Sequence, residues 1–216
     1  MPVERDAVLK ALEAVRNSSK KRGFNQSVDL ILNLTDLDLK KPENRLSENI
    51  DLPHPPKKGA RIIVFASGDL AVRAKNSGAD QVMSREDLDA FGGNKKAVKK
   101  LAESTDFFIA ETTMMSVVGK VLGPVLGPRG KMPTPVPPNA PIENIITRHN
   151  RIVRVRIRDQ LNAQCKVGSG EMSDEELADN IQAVIARFEA KLPKGLGNIR
   201  EVGVKTTMGP FVKIEM

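Results

Sequence analysis

The chain is poor in aromatic residues: it has no tryptophan, no tyrosine and seven phenylalanines among 216 residues. The core must therefore be aliphatic, and the hydrophobic content of 40% is enough to build one. A shortage of exposed aromatics also argues against recognition of splayed single-stranded bases by stacking.

Cysteine and histidine are almost absent as well. The single cysteine, Cys165, excludes an intramolecular disulfide, and together with His54 and His149 it is too little for a zinc cage. No apolar run reaches the roughly 18 residues that a membrane helix needs, and the first residues are not those of a signal peptide. The sequence therefore predicts a cytoplasmic protein with no metal, no cofactor and no membrane partner.

Phosphate-binding loops are also missing. The Walker pattern needs a Gly five residues before its Gly-Lys pair and a hydroxyl after it. Around Gly130-Lys131 these positions hold Val125 and Met132, and the pair at Gly119-Lys120 fails in the same way. Gly-x-Gly-x-x-Gly is absent too, as is any nucleophile–base pair, so we expect no enzyme. The alternative is a mononucleotide-using enzyme built on residues 60–150.

What the chain does have is positive charge. The net charge is +7 and the pI is about 9.6, which suggests a polyanionic partner. The charged residues are spread along the chain and form no tail, so they favour a folded binder that recognises shape.

Residues 119–141 hold half of the 14 prolines. Because proline fixes φ and lacks an N–H, the segment is predicted to be neither helix interior nor central strand. With Gly123, Gly127 and Gly130 interleaved, the pattern predicts a rigid loop that carries Lys120, Arg129 and Lys131. The loop is either a plain connection or a basic surface that touches phosphate.

The two ends of the chain share one pattern of amphipathic helices and half-exposed strands. The spacing predicts a helix over 5–18 and a strand over 28–34, followed by a short strand near 49–52. Residues 151–158 predict a strand with 162–167 as its hairpin partner, and Ser173-x-x-Glu176 is a capping box that begins a helix. Further strands are expected at 202–205 and 211–214.

The middle of the chain differs. Residues 61–66 and 107–110 are continuous apolar runs, as in strands buried on both faces, and helical segments separate the strands. This alternation predicts a small parallel sheet with crossover helices. The Pro-rich linker from Pro53 to Gly59 marks a boundary. We therefore predict an α/β protein of two domains: a split α+β domain from residues 1–59 and 151–216, and an inserted α/β domain from 60–150.

Four segments, in order along the chain, resemble the "L-one" family, the large-subunit ribosomal proteins of the lateral stalk. They are Gly23-Phe24-Asn25-Gln26-Ser27-Val28-Asp29, the run from Leu122 to Pro133, Lys166-Val167-Gly168 with Leu177 to Ile181, and Lys205 to Ile214. The resemblance covers essentially the whole chain and is closest to the archaeal type.

The resemblance implies the same split fold, with a Rossmann-like inserted domain. It implies a monomer in the cytoplasmic ribosome that binds stalk ribosomal RNA near the exit site. Release of deacylated exit-site tRNA and repression of the protein's own mRNA are implied as well. The RNA-facing residues of the family map onto Phe24, Ser27, Asp29, Thr206, Thr207, Met208 and Gly209, with Lys20, Lys21 and Lys166 as basic neighbours. Secondary RNA or tRNA contacts are expected at Lys95, Lys99, Lys120, Arg129 and Lys131.

Some of these positions have simpler explanations. Phe24 and Met208 are residue types that usually lie in a core. The cluster at residues 20–22 suits the C-terminus of a helix, where cations are favourable. Glu201 stands where bacterial relatives have a small hydroxyl residue. Because phosphate repels a carboxylate, Glu201 is expected to bond a ribose or base, or to point away.

Overall fold

The computed structural model describes residues 3–20, 22–41, 44, 46–56, 59–157 and 160–215. The chain divides into two compact units, Met1–Lys57 with Arg151–Met216, and Lys58–Asn150. We call the first the split unit and the second the inserted unit. That each unit folds by itself stays a prediction.

Helices and strands alternate along the chain. The α-helices of the described residues are α1 (Arg5–Ser18), α2 (Gly68–Asn76), α3 (Arg85–Ala90), α4 (Lys95–Ser104), α5 (Met115–Val121), α6 (Gly123–Arg129), α7 (Ile142–His149) and α8 (Asp174–Lys191). The strands are β1 (Ser27–Leu34), β2 (Ser47–Asp51), β3 (Ile62–Phe65), β4 (Gln81–Met83), β5 (Phe107–Glu111), β6 (Thr134–Val136), β7 (Ile152–Arg156), β8 (Asn162–Ser169), β9 (Ile199–Thr206) and β10 (Val212–Ile214). The predicted α/β class is confirmed.

The main sheet of the split unit has the strand order β10-β9-β1-β8 and is antiparallel throughout. Alternate side chains of β1 are buried, which is the period-2 pattern seen in the sequence. Helices α1 and α8 contact each other and the strands, and their apolar stripes share one core with the buried face of the sheet. The opposite face is open to solvent along much of β1, β8 and β9.

The predicted hairpin of residues 151–158 with 162–167 is wrong. Strand β8 pairs with β1, from Ser27↔Ser169 to Asn33↔Asn162, whereas β7 pairs with β2 in a separate ladder. The reason is burial: Cys165 and Ala163 lie opposite Leu30 and Leu32, so β8 extends the apolar face beneath the helices. Closeness in sequence is outweighed by that shared core.

Helix α8 begins as predicted. The Ser173 hydroxyl accepts from the Glu176 N–H at 3.2 Å, and the Glu176 carboxylate accepts from the Ser173 N–H at 3.1 Å. Its predicted stripe is also buried, including Leu177, Ile181 and Phe188.

The inserted unit holds a parallel sheet with the strand order β4-β3-β5-β6. Strands β3 and β5 are buried along their whole length, as their continuous apolar runs predict. The helices that join the strands pack on them, and the predicted crossover arrangement is confirmed.

The predicted loop over residues 119–141 is wrong in its first half. Helix α5 runs to Val121 and α6 follows at Gly123–Arg129, with Pro124 in its first turn and Pro128 inside it. A proline in the first turn costs nothing, and in so short a helix Pro128 removes a single backbone bond. The buried Val118, Leu122 and Leu126, four residues apart, hold both helices on the core.

The conformational freedom of glycine is used at the end of α6. Gly130 ends this helix with φ of 65°, the left-handed conformation that favours glycine.

The second half of the segment contains a strand. Pro135 lies in β6, which is an edge strand of the sheet, as proline requires.

Asn180 of α8 is fully buried and joins three backbone groups. Its Oδ1 accepts from His54 N at 2.9 Å, and its Nδ2 donates to His54 O at 2.7 Å and to Val167 O at 2.8 Å. One amide thereby fixes the segment after β2 to helix α8 and strand β8.

We predict that Asn180→Ala lowers the free energy of unfolding of the split unit by at least about 1–3 kcal/mol, because buried backbone groups lose their partners. Urea unfolding followed by circular dichroism measures this. Asn162→Ala, at an exposed position of β8, is the matched control and should change stability little. Equal stability of the two variants would contradict the structural role of Asn180.

Cys165 lies on the buried face of β8. Burial raises the pKa of its thiol to about 12, and the negative charge of Asp29 adds to the increase. Since the thiolate is the reactive form, we predict slow labelling by a disulfide reagent at pH 8 in native buffer and fast labelling in urea. In the unfolded chain the thiol ionises at about pH 8.5, below its pKa in the folded protein. Burial of the neutral thiol therefore contributes fully to the free energy of unfolding below that pH, and the contribution declines above it. Fast labelling of the native protein would contradict this placement.

Candidate nucleic-acid interface

The turn between β9 and β10 lies beside the start of β1, because Val28 pairs with Thr206. Two bonds extend this ladder into the turn. Thr207 N donates to Ser27 O at 3.1 Å, and Ser27 N donates to the Thr207 hydroxyl at 3.0 Å. The family resemblance named both segments, and the structure brings them together.

Thr206 and Gly209 shape this turn from inside. Thr206 is buried, and its hydroxyl lies 2.7 Å from the Ser19 hydroxyl, which itself donates to Val15 O at 2.6 Å. Thr206 is therefore the donor to Ser19. A Cβ at Gly209 would collide with Thr206 Oγ1 and lie 2.7 Å from Ser19 Oγ, so only glycine fits. These two residues position the turn.

Met208 and Phe24 lie on the surface. The exposed fractions are 62% for Met208 and 54% for Phe24, so the explanation as ordinary core residues fails for both. Thr207 and Lys20 are exposed as well, whereas Lys21 lies outside the described residues. The turn therefore presents the Thr207 hydroxyl and the apolar Met208 side chain. The segment before β1 adds the apolar ring of Phe24 and the charge of Lys20.

Gln26 is a site residue that the sequence did not reveal. Its Oε1 accepts from Met208 N at 3.0 Å, and its Nε2 donates to Lys20 O at 3.1 Å. One amide thus links the end of α1, the start of β1 and the turn. No pattern identifies such a glutamine, because its partners are set by the pairing of β1 with β9.

Asp29 lies on the open face of the sheet between two lysines. Its cross-strand partners are Lys166 on β8 and Lys205 on β9. Burial raises the pKa of Asp29, although the positive charges of Lys205 and Lys166 act in the opposite direction. Two cations and one carboxylate therefore lie side by side across β8, β1 and β9, next to the turn.

Glu201 has two partners within the protein. Its Oε2 accepts from Asn33 Nδ2 at 3.0 Å, and its Oε1 lies 3.5 Å from Lys213 Nζ. The carboxylate is therefore balanced by neighbours on β1 and β10, which offsets its repulsion of phosphate.

In the inserted unit, two of the expected cations serve the fold. Lys131 Nζ donates to Ala102 O at 2.9 Å and to Thr105 O at 2.6 Å, closing the C-terminal end of α4. Arg129 Nη2 donates to Glu103 Oε1 at 2.9 Å. The remaining three, Lys95, Lys99 and Lys120, are exposed.

In the inserted sheet, the crevice where a sheet of this type would bind a nucleotide is filled by side chains of the protein. Ligands of such sheets bind where parallel strands end and the order reverses, which here is between β3 and β5. Glu111 lies buried there and accepts from Ser67 N at 3.1 Å, Ser67 Oγ at 2.9 Å and Thr113 Oγ1 at 2.7 Å. The Thr113 bond, followed by those from Ser67, lowers the pKa of Glu111 although burial opposes them. A bound phosphate would meet this carboxylate, which argues against the mononucleotide enzyme.

Two further observations concern the described residues alone. They contain no group of three or more His, Cys, Asp or Glu placed to hold a metal ion. None of their helices combines the length and apolar content needed to cross a bilayer.

Comparison with known proteins gives the family of the chain. The model of the ribosomal protein L1p/L10e family matches residues 15–210. The large ribosomal subunit protein uL1 of Hyperthermus butylicus is 48% identical over 214 residues, covering 99% of this chain and 98% of that protein. Its counterparts from Methanothrix thermoacetophila and Methanothermobacter thermautotrophicus are 47% and 45% identical, covering 97% and 96% of this chain and 99% and 98% of the relatives.

These relatives confirm the family resemblance and its archaeal type. They carry the name of a structural ribosomal protein, which confirms the expectation that the chain is not an enzyme. With a family model matched over 15–210 and relatives aligned along nearly their whole length, the chain belongs to the ribosomal protein L1p/L10e family.

Proposed function

We propose that this ribosomal protein of the large subunit binds the stalk region of large-subunit ribosomal RNA near the exit site. The observation that carries the proposal is the turn Thr206–Gly209, fixed to β1 and to Gln26 while Met208 stays exposed. Membership of a ribosomal protein family puts its place of action on the cytoplasmic ribosome.

The chemistry of the turn suits RNA. The wide, shallow minor groove of an RNA helix presents ribose 2′-hydroxyls, which pair with hydroxyl and backbone groups. Thr207 supplies a hydroxyl, and Gly209 lets the turn pack tightly on Thr206 and Ser19, which fixes the position of that hydroxyl. Met208 and Phe24 supply apolar surface for a ribose or base, and Lys20 and Lys166 supply charge for phosphates.

We further propose that the same surface binds the protein's own mRNA and thereby represses its translation. A surface that reads RNA shape accepts any strand that offers the same shape, so the two RNAs should compete for it. The protein acts as a monomer in this scheme.

The exposed lysines of the inserted unit are proposed to assist release of deacylated exit-site tRNA. Lys95, Lys99 and Lys120 offer charge for a phosphate backbone. Arg129 and Lys131 contribute less than the sequence suggests, because Arg129 bonds Glu103 and Lys131 bonds two backbone carbonyls.

We predict that Met208→Ala and Thr207→Ala weaken binding to stalk ribosomal RNA while the fold survives. Losing a packed or hydrogen-bonded contact costs about 1–3 kcal/mol, or roughly five- to 150-fold in Kd. Filter binding at one fixed salt concentration, against an unrelated hairpin, measures the loss.

Leu161→Ala is the matched control, since Leu161 is exposed and its carbonyl bonds Leu34, at the far end of β1 from the turn. It should bind like the parent protein. Parental affinity of both turn variants would show that the assigned surface is wrong.

A second prediction concerns the two units. Residues 1–59 joined to 151–216 by a short Gly-Ser linker should fold alone, because they hold their own sheet, helices and core. The joined ends should keep most of the RNA affinity and lose at most about 1–3 kcal/mol of binding free energy, from phosphate contacts of the inserted unit. Residues 60–150 should fold and bind weakly. Tight binding by residues 60–150 and weak binding by the joined ends would reverse the assignment.

A further inference from the structure

Phe211 is an exposed aromatic residue that the proposed site does not use. Its side chain is 41% exposed, and Phe24 and Phe211 are the two phenylalanines of the described residues that fall in the exposed class. Both lie in the split unit, in segments joined to the same turn. In a chain with 3% aromatic residues, two exposed phenylalanines near one turn indicate a function for this surface.

The ring of Phe211 is held against the sheet by Gly203. A Cβ at Gly203 would collide with the Cζ and Cε2 atoms of the ring, and it would lie 2.8 Å from Val212 O. The ring therefore covers the glycine backbone of β9, which is why Gly203 is buried. One side of the ring is fixed on the strand and its exposed part faces solvent.

Positive charge borders this ring on the open face. Lys213 is the cross-strand partner of Gly203, and Lys205 lies two residues along β9 on the same face. The side chain of Lys213 is 59% exposed beside Glu201, and Lys205 flanks Asp29. An apolar ring between two lysines matches a nucleotide, which has a ribose and a flat base beside a phosphate.

The ring also continues the proposed interface. Phe211 follows Pro210, directly after the turn that carries Thr207 and Met208. A strand of RNA leaving the turn along β9 meets Phe211 next, on the same open face as Asp29.

We propose that Phe211, with Lys205 and Lys213, forms a second RNA-contact strip on the open face of the sheet, where the ring packs on a ribose or base of the RNA bound at the turn. This inference rests on the proposed function and adds a residue that the family resemblance does not assign. It differs from the expectation, drawn from composition, that few exposed aromatics argue against recognition of splayed bases by stacking.

The test uses the lack of tryptophan and tyrosine in the chain. Phe211→Trp places a single fluorophore at the strip, and Leu161→Trp places one at an exposed site at the far end of β1. Both full-length proteins are titrated with the stalk RNA fragment, and binding is measured in parallel on filters. We expect the emission of the Phe211→Trp protein to change by about twofold or more, because base stacking quenches indole, and the midpoint of this change should match the Kd from filter binding. The emission of the Leu161→Trp protein should not change.

A second variant reads affinity directly. Phe211→Ala should weaken RNA binding by about five- to 150-fold, the range for losing one stacked aromatic. Phe211→Leu, which keeps Gly203 covered, should weaken it less while leaving thermal stability near that of the parent. RNA-bound Phe211→Trp protein with unchanged emission, or folded Phe211→Ala protein with parental affinity, overturns the proposal. If Met208→Ala still weakens binding in that case, the proposed function stands; if it does not, the turn itself is misassigned.

Discussion

Strand β1 is held between two strands from the far end of the chain, and the rest of the split unit depends on this pairing. It joins residues about 180 positions apart, as at Ser27 and Thr207, and it places β8 on one side and β9 on the other. The entropy of closing so long a loop grows only slowly with its length, so an insertion of this size is tolerated. Leu52 N donates to Arg151 O at 2.8 Å, so the chain leaves and re-enters the split unit at neighbouring points.

The same pairing builds the candidate interface. Neither the start of β1 nor the turn after β9 forms this surface alone. Together they let Thr207 bond Ser27, let Gln26 bond Met208 and bring Thr206 to Ser19. Polar groups that would otherwise lack partners are satisfied inside, and this leaves Met208 outside in a fixed turn. Rigidity of that kind reduces the entropy lost on binding.

Local pattern was enough to predict most elements of the fold. Alternation in β1, the capping box at Ser173 and the buried runs of β3 and β5 each depend on neighbours in sequence, so they can be read directly. Strand partners cannot: β8 joins β1 because of the core it shares with α8. Helix α6 cannot be predicted from its prolines, because what holds it is the burial of Leu122 and Leu126 in the folded core. The site residues came from the resemblance, and Gln26 and Phe211 required the three-dimensional pairing.

Charged residues that look alike in the sequence have different roles in the structure. Lys131 closes a helix end, Glu111 fills the crevice of the inserted sheet, and Glu201 is balanced by Lys213. These three charged groups thus bond within the protein, and the exposed surface near the turn combines a few lysines with Phe24, Met208 and Phe211. A surface that releases few counterions and buries apolar area should bind RNA with a shallow salt dependence. Under the proposed function, recognition rests on the shape of one RNA strand against a rigid turn and an open sheet, which a fixed fold supplies and a basic tail does not.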